Sequence, residues 1–334
     1  MNKLILIAAA IVAALTFGSC EKTKTGGVET QKTIKIGISK ITQHPALDAV
    51  EQGIQDGLAA RGITAEYDLQ NANGDMSTAT QIAAKFKAEK VDIAIGIATP
   101  TAQALANTIK DIPVIFATVT DPVGAGLVTT LEHGEGNVTG LSDAIPTSEH
   151  IALFKKIADI NTLGYIYTAS EANSASALAL VEKSCAENGI TLITQSINSS
   201  AETRQAAQAI VNRVDGLYLT TDNTVFSGLQ GVINVFRGAK KPLFSGEVDS
   251  ALDGGCLIAS GFNYYKAGIV TAGMVAEIID GKKPADIPVK LLTELSETDF
   301  LIDMDAAANC SIEIPEQYIE QANKIFENGT LYEK

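Results

Sequence analysis

Tryptophan is absent from this chain of 334 residues, and phenylalanine and tyrosine bring the aromatic share to only 5%. A pocket here has few rings to draw on, which disfavours planar sugars, since these are commonly held by stacking on aromatic faces. No long run of Lys or Arg occurs, and the formal net charge is −14. Nucleic acids need a concentrated basic surface that neutralises phosphates, so that class of partner is excluded. Anionic lipid surfaces and polyphosphate substrates are disfavoured for the same reason. The three histidines, His44, His133 and His150, show neither H-x-x-x-H nor H-E-x-x-H spacing, and the four cysteines form no C-x-x-C or Cys/His zinc pattern. Cys185, Cys256 and Cys310 are far apart and odd in number. They read as buried small apolar thiols, and the question of a disulfide between two of them stays open. The chain has no G-x-S-x-G elbow, no P-loop and no G-x-G-x-x-G after a strand; "GEGNVTG" at 134–140 has the wrong spacing. No catalytic residue, metal or cofactor is therefore expected.

What is present begins with a processing signal. Leu4 to Phe17 is an uncharged apolar run after Met1-Asn2-Lys3, too short for a permanent span and followed by the small residues of "TFGSC". This pattern resembles a bacterial lipobox, with Phe17 where Leu usually stands, and implies removal of residues 1–19 and lipid attachment to Cys20. Residues 20–32 then form a polar, Gly/Thr-rich tether. With 46% apolar residues and a length beyond one ordinary core, the remainder is expected to form two lobes.

Strand and helix signals alternate with a period of roughly 25–35 residues, which is the mark of βαβ units on parallel sheets. "TIKIGIS" reads as a strand and "PALDAVEQGIQDGLAARG" as a helix, and nearly continuous apolar strands such as "VDIAIGIA" and "IPVIFATVT" follow. An irregular Gly-rich stretch runs from Asp121 to Pro146. Beyond it the rhythm restarts, and "NTVFSGLQGVINVFRGA" reads as one helix.

Ligands of open α/β sheets bind beyond the carboxyl ends of the strands. The segments at those ends here, among them "SKITQHPALD", "GIATPTAQ", "ATVTDPV", "YTASEANSAS", "LTTDNTVF", "SGEVDS" and "ASGFNYY", are rich in hydroxyls, amides and single carboxylates. Each residue has a plain alternative. Thr99, Thr101 and Ser174 are ordinary helix caps, Asp121 and Asp222 ordinary turn formers, and Tyr264 is core. Recurrence of such residues at the strand ends of both lobes favours a cleft.

"QHPALD", "TPTAQA", "VTDPVGAGLV", "GNVTGLSD", "SEANS", "DNTV" and "GFNYYKAG…GKKPADIPV", in this order over about residues 33–315, resemble the substrate-binding lipoproteins of ABC transporters. The particular family contains tryptophan- and tyrosine-binding proteins. The resemblance implies an α/β protein with two Rossmann-like lobes, parallel sheets and a hinged interlobe cleft, the type I periplasmic-binding-protein fold. Residues 33–141 plus about 263–300 would form the N-terminal lobe, and 142–262 plus about 301–332 the C-terminal lobe. Carried across by motif, His44 and Asp48 would line the first-lobe wall, Thr99 and Thr101 would take a ligand carboxylate, and Thr118 and Asp121 would form the floor. Ser142, Glu171, Asn173, Ser174, Asp222 and Asn223 would close from the second lobe, with Glu247 and Asn263 near the third crossover, and Tyr264, Phe116 and Phe226 are the candidate rings of the pocket. Asn263 carries no charge, so the counter-charge to an ammonium group would fall to Asp222 or Glu247. The implied function is extracytoplasmic binding of a small zwitterion, an aromatic amino acid such as tryptophan or tyrosine. The implied partners are ABC permease subunits with a separate ATPase, and a membrane reached through Cys20; the protein itself would be a monomer. A receptor for a sugar or nucleoside, or a sensing or adhesive lipoprotein, is the alternative.

Overall fold

Alternate isoleucines of "IKIGISK" make the first strand, β1 (Ile34–Lys40), whose centre is fully buried. The computed structural model describes residues 33–292 and 297–334; the signal peptide, Cys20 and the tether expected before residue 33 lie outside the described residues. Pro45 opens helix α1 (Pro45–Ala60), which buries Leu47, Val50, Ile54 and Leu58 at helical spacing. After β2 (Ala65–Asn71), Asp75 caps α2 (Met76–Glu89) by accepting from the Thr78 amide at 2.6 Å. Strand β3 (Ile93–Ile97), helix α3 (Thr99–Thr108) and strand β4 (Val114–Val119) follow, both strands wholly buried. The stretch read as irregular contains a further strand, β5 (Val138–Ser142). Its Thr, Gly and Ser imitate a loop, but burial beside β4 outweighs that composition.

The second α/β series comprises α4 (Thr147–Ala158), β6 (Thr162–Thr168), α5 (Ala172–Glu187), β7 (Thr191–Ile197) and α6 (Thr203–Ile210). It goes on through β8 (Gly216–Leu219), α7 (Asn223–Ser227), α8 (Leu229–Gly238), β9 (Leu243–Ser245) and β10 (Ile258–Phe262). The helix expected over 223–239 is thus two, broken at Gly228, whose carbonyl accepts from the Thr203 hydroxyl at 3.1 Å as well as from the Gly231 amide at 3.0 Å. The chain ends with α9 (Tyr264–Ile279), β11 (Lys290–Leu291), β12 (Thr298–Asp303), α10 (Met304–Cys310), α11 (Glu316–Gln321), β13 (Lys324–Glu327) and β14 (Thr330–Glu333).

Two sheets result, ordered β11-β5-β4-β3-β1-β2 and β14-β13-β12-β10-β9-β8-β6-β7. The first is parallel throughout. The second is parallel except where β12 meets β10 and β14 meets β13, two antiparallel pairs at one side that the helix–strand rhythm did not announce. The chain crosses between the sheets three times, after β5, after β10 and between β11 and β12. Helix α9 returns to the first lobe and seats on α1 at a glycine contact. A Cβ on Gly53 would stand 2.2 Å from the Tyr265 carbonyl oxygen, and one on Gly268 2.3 Å from that of Val50. Ser142, expected on the second lobe, ends β5 and so belongs to the first sheet. Cys185, Cys256 and Cys310 are unpaired; the first two are buried and Cys310 only partly so. Among the described residues no helix is long and apolar enough to cross a membrane.

Candidate functional site

Strands of a parallel sheet end along one rim, so residues distant in sequence become neighbours there. The first rim carries Ser39 at the end of β1, Thr99 after β3 and Thr118 to Asp121 at and beyond the end of β4. The second carries Thr168 to Ser174 after β6, Thr220 to Asn223 after β8 and Glu247 after β9. The rims meet. His44 Nδ1 lies 3.8 Å from Glu247 Oε2, and the His44 ring lies 6.1 Å from that of Phe226. Thr120 and Thr221 share a hydroxyl–hydroxyl bond of 2.9 Å, and Ser176 donates to Asp121 at 2.9 Å.

Six buried side-chain atoms on these rims have no hydrogen-bond partner: Ser39 Oγ, both His44 nitrogens, Thr99 Oγ1, Asn173 Oδ1 and Ser250 Oγ. Each such atom costs about 1–3 kcal/mol of desolvation, so their gathering on facing walls serves recognition rather than stability. Thr99 opens α3, whose first amides are free to receive an anion. Just before it, Ala98 adopts φ 74° and ψ 159°, a region otherwise almost reserved for glycine. Replacing Ala98 by Gly is therefore expected to raise the urea midpoint, with about 1 kcal/mol of strain relieved; a lowered midpoint would show that Ala98 is not strained.

Charge in the cleft is one-sided. Glu247 is fully buried, and burial pushes its carboxyl up to about 8. Burial likewise raises Asp143 to about 6, Asp249 to about 6 and, together with the neighbouring Asp222 carboxylate, Glu171 to about 7. Burial lowers His44 to about 4, so its ring is neutral and supplies no counter-charge. The one lysine among the buried residues, Lys324, is occupied by Glu333 at 2.5 Å. These shifts set a pH dependence. The raised carboxyls make the folded state hold more protons than the unfolded chain between their ordinary values and about 8, so stability falls there as pH rises. His44 and His150, lowered to about 4, act oppositely until the unfolded chain has shed their protons, about one pH unit above their ordinary value of 6.5. From about pH 7.5 upward the histidines no longer oppose the carboxyls, and the urea midpoint of the ligand-free protein should fall through pH 8; a flat profile would contradict this.

Other residues singled out from the sequence have their polar groups engaged. Asp222 accepts four bonds, from the Thr168 amide and hydroxyl, the Ser174 hydroxyl and the Val225 amide, at 2.6–3.0 Å. Glu171 accepts from Asn173, Asn223 and the Thr224 amide and hydroxyl. These two acids thus brace the second wall from behind and hold Asn173 and Asn223 toward the cleft. Thr101 turns its hydroxyl to the Ile97 and Ala98 carbonyls, Thr118 to Ala117 at a register shift in β4, and Ser142 to Thr120. Asp48 accepts from Lys40 at 2.5 Å and from Gln43, not from His44. Asn263 caps α9 and donates to Asp299. Tyr264 donates to Asp143 at 2.9 Å, linking the first and second crossings. Ser39, Ser250, Thr120, Thr221, Asp143 and Ser176 were not singled out. Ser39, Thr120, Thr221 and Ser250 lie within strand-end segments quoted from the sequence, whereas Asp143 follows a strand hidden in the Gly-rich stretch. Among the described residues no group of three or more His, Cys, Asp or Glu could hold a metal.

Two α/β lobes whose strand ends face each other across three crossings form the type I periplasmic-binding-protein fold. The family model for ABC transporter substrate binding proteins matches residues 35–326, and the chain belongs to that family. It is 35% identical over 293 residues to the tyrosine-binding protein of Clostridioides difficile (strain R20291), covering 86% of this chain and 84% of that one. An ABC domain from Streptococcus pneumoniae, solved in complex with L-Trp, superposes with TM-score 0.84 at 32% identity, covering 88% of this chain and all of that one. The ligand-free, open structure of a Clostridium difficile substrate binding protein with adhesive properties gives TM-score 0.63 at 35% identity, over 85% of this chain and 96% of that one. Of these two neighbours the one that superposes less well, despite its higher identity, is the open, ligand-free structure. The lobes of this chain stand closed, as the bonds between their rims require.

Proposed function

We propose that the chain binds a zwitterionic aromatic amino acid, of the tryptophan or tyrosine kind, between its lobes and passes it to an ABC permease driven by a separate ATPase. The observation that carries this reading is Glu247, a buried carboxylate with no cation near it among the described residues, facing unpartnered polar atoms from both lobes. A ligand ammonium supplies the missing charge. Thr99 and the first amides of α3 receive the ligand carboxylate, while Phe226 and the neutral His44 ring border its side chain. The tyrosine-binding relative and the L-Trp complex support the ligand class. The protein acts as a monomer outside the cytoplasm, held by a lipid on Cys20 once residues 1–19 are removed, a reading supported by "TFGSC" and by the family. Contacts with both lobes favour the closed state, which the permease reads. The test is a thermal-shift and calorimetric screen of the purified protein against amino acids, sugars and nucleosides. Stabilisation by tryptophan or tyrosine is expected; a response to sugars or nucleosides alone would sink the ligand assignment.

A further inference from the structure

The bonds Thr120–Thr221 and Ser176–Asp121 join the lobes through residues that hold none of the unpartnered buried atoms. They border a crevice of about 590 Å³, lined elsewhere by apolar side chains such as Pro122, Ile145 and Leu180. That crevice includes none of Ser39, His44, Thr99, Asn173 or Ser250. The two first-lobe residues, Thr120 and Asp121, are also braced within their own lobe. Thr120 donates to Asp143 at 3.1 Å, so its single proton is spent and Thr221 is the donor across the gap. Asp143 in turn is held by Tyr264. Asp121 accepts from the Gly124 amide with one oxygen and from Ser176 with the other.

We propose that Thr120, Asp121, Ser176 and Thr221 form a latch that sets the affinity of the protein without touching its ligand. Both bonds break when the lobes part, so the latch acts only on the balance between open and closed forms. Apparent affinity scales with the closed fraction, so weakening the latch multiplies the Kd of every ligand by one common factor. A residue that touches the ligand behaves differently, changing the ratio of affinities between ligands. The latch rests on the amino-acid reading only for the choice of ligands.

The test compares Ser176→Ala, Thr221→Val and the double variant with the unaltered protein, by calorimetry with L-tryptophan, L-tyrosine and L-phenylalanine and by small-angle X-ray scattering without ligand. Each single variant should raise Kd roughly three- to tenfold, by the same factor for all three amino acids. Ser176→Thr, which keeps the hydroxyl, should bind as the unaltered protein does, and this rescue separates the latch from a folding defect. The double variant should scatter with a larger radius of gyration. Unequal factors among the ligands, or unchanged affinities, would overturn the latch. If none of the amino acids binds the unaltered protein, the ligand reading has failed. The scattering comparison then decides the latch, and identical curves overturn it.

Discussion

Glu247→Gln is expected to weaken amino-acid binding by about 100-fold, because it removes the buried acceptor that would pair with the ligand ammonium. The same substitution should leave the ligand-free protein as stable at pH 8 or more so. Glutamine keeps the shape and still offers an oxygen to the Ser250 amide, which Glu247 Oε1 now accepts at 3.2 Å. It also removes a carboxyl that burial holds at about 8 and that gains a charge without a counter-charge as pH rises. Binding should be coupled to protons in the original protein. An ammonium beside Glu247 favours the ionised form, so near pH 7 binding releases close to one proton, measurable by calorimetry in buffers of different ionisation enthalpy. In Glu247→Gln this release should vanish, and the advantage of an amino acid over its deaminated analogue should shrink. Unchanged affinity together with unchanged proton release would move the ammonium site elsewhere.

Asp222→Ala is expected to destabilise the protein by about 3 kcal/mol, seen as a melting temperature lower by roughly 6–10 °C. The carboxylate draws together the end of β6, the first turn of α5 and the start of α7 through four buried bonds. Alanine would strand two amides and two hydroxyls, only partly offset by relief of the neighbouring Glu171. Asp222→Asn keeps one oxygen with two of the bonds and should fall between. From the sequence, Asp222 reads as a ligand contact whose loss spares the fold. The four bonds predict the reverse order of effects: stability falls first, and affinity through the displaced wall. A lost affinity with an unmoved melting temperature would restore the direct contact.

Much of the architecture was legible because it depends on local physics. Ile36 and Ile38 in β1 and the helical spacing of Leu47, Val50, Ile54 and Leu58 each declare their element within a few residues. The strand β5 and the antiparallel pairs of β12 and β14 were not, since their identity depends on neighbours supplied by other parts of the chain. The site divides in the same way. His44, Thr99, Asn173 and Glu247 stand on the cleft because strand ends must, and "SKITQHPALD" and "SGEVDS" could be read for that. Whether a polar group at a strand end is free or engaged is a different matter. Thr99 and Thr101 are two residues apart and chemically identical. Yet Thr101 bonds back to Ile97 and Ala98 while Thr99 has no partner.

The sequence by itself determined the two-lobed α/β class, the acidic character of the cleft residues and the segments that edge it, because periodicity, charge and turn chemistry are properties of short stretches. Only the tertiary structure decided that Asp48 belongs to Lys40, that Asp222 and Glu171 brace a wall, and that Asp121 meets Ser176 across the lobes. A hydrogen bond is a matter of angstroms between groups that can stand more than a hundred residues apart, and burial is set by everything that packs around them. One-dimensional order records which groups are available, and the fold determines which of them remain free for a ligand.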